Sequence, residues 1–129
     1  VHLRPFIQLA AEGYGYGSIT QYFGGRFSGS PHGGVDIGVP YGTPIYAAES
    51  GQVISAEYHW SWGNTVLIWH NGTYSPRYAH CSSLAVSAGE YVEKGQIVGY
   101  VGSTGQSTGN HLHFEVYQNG TRVDPLNIV

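Results

Sequence analysis

The sequence predicts a mainly β protein, antiparallel and poor in helix, and three observations lead there. Glycine is abundant at 20 of 129 residues, charged residues make up only 10%, and there are 11 tyrosines. That composition suits strands joined by tight turns better than a helical bundle. Short apolar and aromatic runs are separated by Gly, Pro, Asn and Ser, the punctuation of strands and turns. No segment sustains the 3.6-residue apolar period of an amphipathic helix.

Along the chain, Val1 to Ala11 is ambiguous, and Gly13-Tyr14-Gly15-Tyr16-Gly17 is too rich in glycine for an element interior. Residues 1–17 therefore read as a lead-in. Ser18 to Phe23 reads as a short strand, and Gly24 to Gly34, with Pro31, as a loop that delivers His32. After the Pro40-Tyr41-Gly42-Thr43-Pro44 turn, strands are expected at Ile45–Ala48, Gly51–Tyr58, Asn64–His70, Tyr74–His80, Gln96–Val101 and His111–Gln118. Asn71-Gly72 and Asn119-Gly120 carry the strongest short hairpin signal, because a type I′ turn needs positive φ at both central residues.

Length and charge bound the rest. A chain of 129 residues makes one domain around a single core. The formal charge of −3 gives no electrostatic case for nucleic acid or an anionic membrane. No apolar run approaches the roughly 20 residues of a membrane span. Cys81, the sole cysteine, cannot form an internal disulfide. The chain starts without a leader, so residues 1–129 read as a single catalytic domain taken from a longer protein.

The chemistry-bearing residues gather in two clusters. In a strand, side chains two apart share a face and lie roughly 6–7 Å from each other. His111 and His113 therefore look out together, while Leu112 and Phe114 face the other way. The second cluster is His32-Gly33-Gly34-Val35-Asp36. A helix is excluded there by the two glycines, Val35 and the prolines at 31 and 40. A straight strand would hold His32 and Asp36 about 13 Å apart, so the backbone must bend at Gly33 and Gly34. The clusters together offer three or four nitrogen and oxygen donors of the kind zinc takes, and a catalytic zinc keeps three protein ligands and an open position. Spacing alone allows both His111 and His113 to be ligands.

A hydrolytic site also needs a proton acceptor. The helical His-Glu-x-x-His motif is absent, so a remaining histidine must serve, and His80 at the end of its strand is best placed. His2, His59 and His70 have no partner at ligand spacing and read as surface or strand-end residues. Cys81 should point away from His80, as strand neighbours do, and reads as a packed thiol. The stretch from Gly102 to Gly109 contains no lysine and precedes no helix pattern, which excludes a phosphate-cradling loop.

Four segments carry a resemblance: His32-Gly-Gly-Val-Asp36, Gly42-Thr-Pro-Ile-Tyr-Ala-Ala, Tyr78-Ala-His80, and Gly102-Ser-Thr-Gly-Gln-Ser-Thr-Gly-Asn-His111-Leu-His113-Phe-Glu. In order and spacing, from about Thr20 to Leu126, the chain resembles the lysostaphin and LytM type of zinc metallopeptidases, which are peptidoglycan endopeptidases. The resemblance implies His32, Asp36 and His113 as ligands of one Zn2+ per chain. His80 and His111 are then the general base and transition-state stabiliser. Tyr22 matches the family tyrosine that donates to the developing oxyanion, although Arg26 to Pro31 lengthens its connection to His32. Asn110 stands where proline is frequent.

The resemblance further implies a twisted antiparallel sheet whose loops wall a substrate groove, with Tyr41, Trp60, Trp62 and Tyr74 available to line it. The implied partner is the peptide part of bacterial peptidoglycan, a stem or cross-bridge bond between small residues, rather than nucleic acid or membrane. A monomer acting outside the cell, secreted or phage-associated, is expected. The rival reading is a metal-free relative that only binds cell wall. Such relatives lack ligands or catalytic histidines, and this chain keeps all five. A carbohydrate-binding β-domain, suggested by the tyrosine and tryptophan content, is a third class, and metal content separates the three.

Overall fold

The computed structural model describes residues 19–21, 23–24, 26–27, 30–31, 33–69, 74–107 and 109–125. In chain order the strands are β1 (Ile19–Gln21), β2 (Arg26–Phe27), β3 (Ser30–Pro31), β4 (Val35–Gly38), β5 (Pro44–Tyr46) and β6 (Gly51–His59). They continue with β7 (Gly63–Trp69), β8 (Tyr74–Leu84), β9 (Tyr91–Val92), β10 (Ile97–Val101), β11 (His111–Gln118) and β12 (Thr121–Val123). The main sheet runs β1-β4-β11-β8-β7-β6-β9, with β10 joined to β5 and β8, and β12 to β11. β2 and β3 form a separate ribbon. Every pairing is antiparallel. No helix among the described residues is long and apolar enough to cross a membrane. The expected mainly β, helix-poor architecture is the one observed.

The strand period of two sorts β11 cleanly. Leu112, Phe114 and Val116 enter the core, where the register sets Leu112 opposite Ile37, and Phe114 opposite both Val35 and Tyr78. The Tyr78 and Phe114 rings meet at 5.3 Å between centroids. Burying side chains of this size contributes about 1.5–3 kcal/mol each. The Tyr78 hydroxyl, buried in the core, accepts the Ala48 N–H at 2.7 Å. Ile45, Val53, Val66, Ile68, Val92, Val98 and Val101 complete the same cluster.

Some boundaries differ from expectation for identifiable reasons. β8 does not end at His80 but runs on to Leu84. Its first half pairs with β11 as far as Ala79, and its last residues pair with β10 from Cys81 onward. His80 lies at the change of partner, with φ at +61°, and its N–H donates to the Trp62 carbonyl at 2.6 Å. Val35–Gly38 forms β4 between β1 and β11, where the sequence suggested only a bend. The glycine before it serves a close approach: a Cβ on Gly34 would collide with the Phe114 carbonyl. The hairpin at Asn119-Gly120 is as expected, with φ of 52° and 85°, whereas His70 and Asn71-Gly72 lie outside the described residues.

Candidate active site

The register that builds the core on one face of β11 builds a polar cluster on the other. Asp36 of β4 and Ala79 of β8 both stand opposite His113, so one row crosses three strands. Asp36 Oδ1 lies 2.7 Å from His113 Nδ1 and 3.6 Å from His111 Nε2. The His80 ring completes the group, 4.9 Å from that of His111 and 5.7 Å from that of His113. Strands distant in sequence thus bring Asp36, His80, His111 and His113 together. His32 and Tyr22 lie outside the described residues.

His80 and His111 are each held through Nδ1, whereas His113 meets a carboxylate at both nitrogens. His80 Nδ1 lies 2.7 Å from the Thr104 carbonyl, and His111 Nδ1 lies 2.9 Å from the Gly109 carbonyl. A carbonyl only accepts, so both rings carry their proton on Nδ1 and turn out Nε2 as a lone pair when neutral. Burial pushes the His80 pKa down to about 4, against the Thr104 carbonyl, which favours the charged form. His113 is held the other way round, its Nε2 lying 2.8 Å from Glu115 Oε2. Burial alone would lower the His113 pKa, but the hydrogen bonds to Asp36 and Glu115 outweigh it and raise it to about 9.

The loops that hold His80 and His111 are packed to fixed geometry. Thr104 Oγ1 donates to the Cys81 carbonyl at 2.6 Å and accepts the Asn64 N–H at 3.1 Å. A Cβ on Gly63 would collide with Thr104, and one on Gly105 with Gly63. Ser107 Oγ donates to the Gly109 carbonyl at 2.8 Å and receives the Ser103 hydroxyl at 3.0 Å.

Beneath His113 lies a group that sequence reasoning missed. The Glu115 side chain is 1% exposed, and its carboxylate faces donors on several sides. The Tyr117 hydroxyl donates at 2.6 Å and Trp62 Nε1 at 3.3 Å, with Arg122 Nη1 at 3.6 Å and Arg77 Nε at 3.9 Å. The Arg77 guanidinium lies 3.8 Å over the Trp62 ring and donates to Thr65 Oγ1 at 3.1 Å. Burial would raise the Glu115 pKa, yet His113, Tyr117 and Arg122 hold it below the usual carboxylate value. The signal was in the sequence: the same period of two that pairs His111 with His113 continues to Glu115 and Tyr117.

Two aromatic residues expected to line a groove stand elsewhere. Trp62 is engaged with Arg77 and Glu115. Tyr74 opens β8 opposite Gln118, at the far end of the sheet from His111, and packs against the core. Tyr41 and Trp60 are exposed. Cys81 is fully buried in the core, away from the histidines, as strand alternation requires. His59 closes β6, and its Nδ1 accepts the Ser61 N–H at 3.1 Å.

The donor set fits a zinc-type cation. A carboxylate and an imidazole nitrogen face each other at 2.7 Å, and the imidazole's other nitrogen rests on a second, buried carboxylate, the support that metal-ligating histidines commonly have. Among the described residues Asp36 and His113 supply two such donors, and no group of three His, Cys, Asp or Glu closes on one point.

The sequence profile of peptidase family M23 matches residues 30–125. The peptidoglycan DD-endopeptidase ShyA of Vibrio cholerae serotype O1 is 41% identical over 97 residues, covering 75% of this chain and 23% of that protein. A zinc-containing peptidase from Vibrio cholerae superposes with a TM-score of 0.83 at 35% identity, over 92% of this chain and 38% of the other. The catalytic domain of lysostaphin from Staphylococcus simulans, an antimicrobial peptidase, superposes with a TM-score of 0.76 at 37% identity, over 87% of each chain. The chain spans about a quarter of the length of the curated relatives it matches.

Proposed function

This chain belongs to peptidase family M23, and from that premise we propose that it is a zinc-dependent endopeptidase cutting stem or cross-bridge peptides of bacterial peptidoglycan. The observation that carries the reading is the opposed presentation of nitrogens: His113 turns Nδ1 toward the Asp36 carboxylate, while His80 and His111 keep Nδ1 on backbone carbonyls and offer Nε2. His32, Asp36 and His113 are the ligands. When bound, zinc makes a water acidic near neutral pH and polarises the carbonyl of the scissile bond.

The other residues move the protons. His80 Nε2 takes a proton from the attacking water as the C–O bond forms. The same proton passes to the leaving amine as the C–N bond breaks, so the ring ends as it began. His111, steadied by Gly109, flanks the reacting carbonyl and steadies developing charge, and Tyr22 donates to the same oxygen. These residues all come from one chain, so a monomer suffices, and the cell wall as substrate places the work outside the cell.

The test is digestion of purified walls that differ in cross-bridge composition, with the new termini identified by mass spectrometry. New glycyl or D-alanyl termini are expected, lost on chelation and regained with zinc. Walls that bind the protein without yielding any new terminus would instead indicate a wall-binding relative.

A further inference from the structure

We propose that Glu115 is a positioning residue for the metal centre: its carboxylate holds the Nε2–H of His113 and thereby presents Nδ1, as a lone pair, beside Asp36. The inference rests on the reading of His113 as a ligand and adds a residue to it. A neutral imidazole carries one proton, and which nitrogen holds it depends on the partner of the other. Here that partner is an acceptor held in place by its own surroundings.

Four groups converge on the Glu115 carboxylate besides His113, and all are donors: the Tyr117 hydroxyl, Trp62 Nε1, and the Arg77 and Arg122 guanidinium groups. None can accept, save the hydroxyl, which is engaged as a donor at 2.6 Å. The carboxylate therefore meets His113 Nε2 as an acceptor, and with a cation in place of a proton at Nδ1, between the ring and Asp36, the one hydrogen of the neutral ring stays on Nε2. Rotation of the ring is disfavoured as well, because a flip would replace both ring nitrogens by carbons, Cε1 at Glu115 and Cδ2 at Asp36, and forfeit both contacts. The glycine at 34 belongs to this arrangement: a Cβ there would sit 2.9 Å from Glu115 Cγ and push the carboxylate out of line.

Two measurements test it. In zinc-loaded wild-type protein, nitrogen-15 NMR of the imidazoles should report His113 as the Nε2–H tautomer with a slowly exchanging ring proton. An Nδ1–H tautomer would overturn the proposal, and this readout needs no variant. Then zinc affinity is measured by chelator competition, and the visible spectrum of cobalt-substituted protein recorded, for wild type, Glu115→Gln and His113→Ala. Glu115→Gln should weaken metal binding about 10–100-fold and alter the cobalt spectrum, while far-UV circular dichroism of the metal-free form matches wild type. If Glu115→Gln binds zinc with native affinity and spectrum while His113→Ala loses it, the positioning role falls and the ligand assignment stands. If His113→Ala retains zinc, both fall. Should Glu115→Gln not fold, the tautomer decides alone.

Discussion

The histidines of this site are held in two different ways. His113 sits within a strand, in register with Asp36 and Ala79, its side chain 8% exposed and gripped at Nε2 by a carboxylate. His80 and His111 are gripped at Nδ1 by carbonyls of one loop, the stretch from Gly102 to Gly109 that precedes β11. A carboxylate behind an imidazole makes its other nitrogen a better donor to a cation. A neutral carbonyl fixes the ring through Nδ1–H and leaves its far nitrogen, in the neutral ring, as the lone pair that accepts a proton. The contrast divides the proposed work: the sheet holds the metal and the loop holds the proton carriers.

The division can be broken by substitution, beginning with the largest expected effect. Alanine at Asp36 or His113 should abolish zinc binding and hydrolysis together, read by metal analysis of the purified protein. Full metal occupancy in either variant would remove that residue from the ligand set. Alanine at His80 or His111 should leave zinc stoichiometry unchanged and lower turnover roughly 10²–10⁴-fold, the range of general acid–base catalysis. Loss of zinc from His80→Ala would erase the distinction between the two kinds of histidine.

Smaller changes sharpen it. Phe114→Ala, on the far face of the same strand, should cost about 3–5 kcal/mol of stability, seen as a lowered urea midpoint. Ser107→Ala removes the hydroxyl that ties Gly109 to Ser103. At about 0.5–1.5 kcal/mol per hydrogen bond it should reduce turnover several-fold without changing zinc affinity. Stability itself should fall at alkaline pH. Burial pushes the Cys81 thiol up to about 12 and the Tyr78 phenol well above its usual value. Both are stable in the fold as neutral groups. Their contribution is complete below the unfolded-state values, about 8.5 for Cys and 10 for Tyr. It is lost as pH rises beyond these toward the folded values, because the unfolded chain then releases protons that the folded chain retains. Urea midpoints taken across that range should decline, and Cys81→Ala should flatten the first part of the decline.

The sequence showed most of the sheet and the side chains that meet on it. The period of two in His111-Leu-His113-Phe placed two imidazoles opposite two core residues, and the structure agrees. Glu115 and Tyr117 obey the same period, but a buried carboxylate looks in sequence like any polar position on a strand; only its donors, drawn from Trp62, Arg77 and Arg122, reveal its setting. The strand Val35–Gly38 escaped notice because glycine and proline flank it, and its existence depends on long-range pairing with β1 and β11. The course of β8 through His80 was equally hidden, since a change of pairing partner leaves no local composition signal. Trp62 and Tyr74 were misplaced for the same reason: exposure of an aromatic residue is decided by what packs on it.

The division of labour requires that His113, and neither His80 nor His111, meet the cation, and that it do so through Nδ1. Crystals of the chain grown with zinc and measured at the zinc absorption edge test this directly. A single anomalous peak bonded to His113 Nδ1 and the Asp36 carboxylate is expected, with Glu115 still on His113 Nε2. A peak bonded to His80 or His111 Nε2 in place of His113 would contradict it.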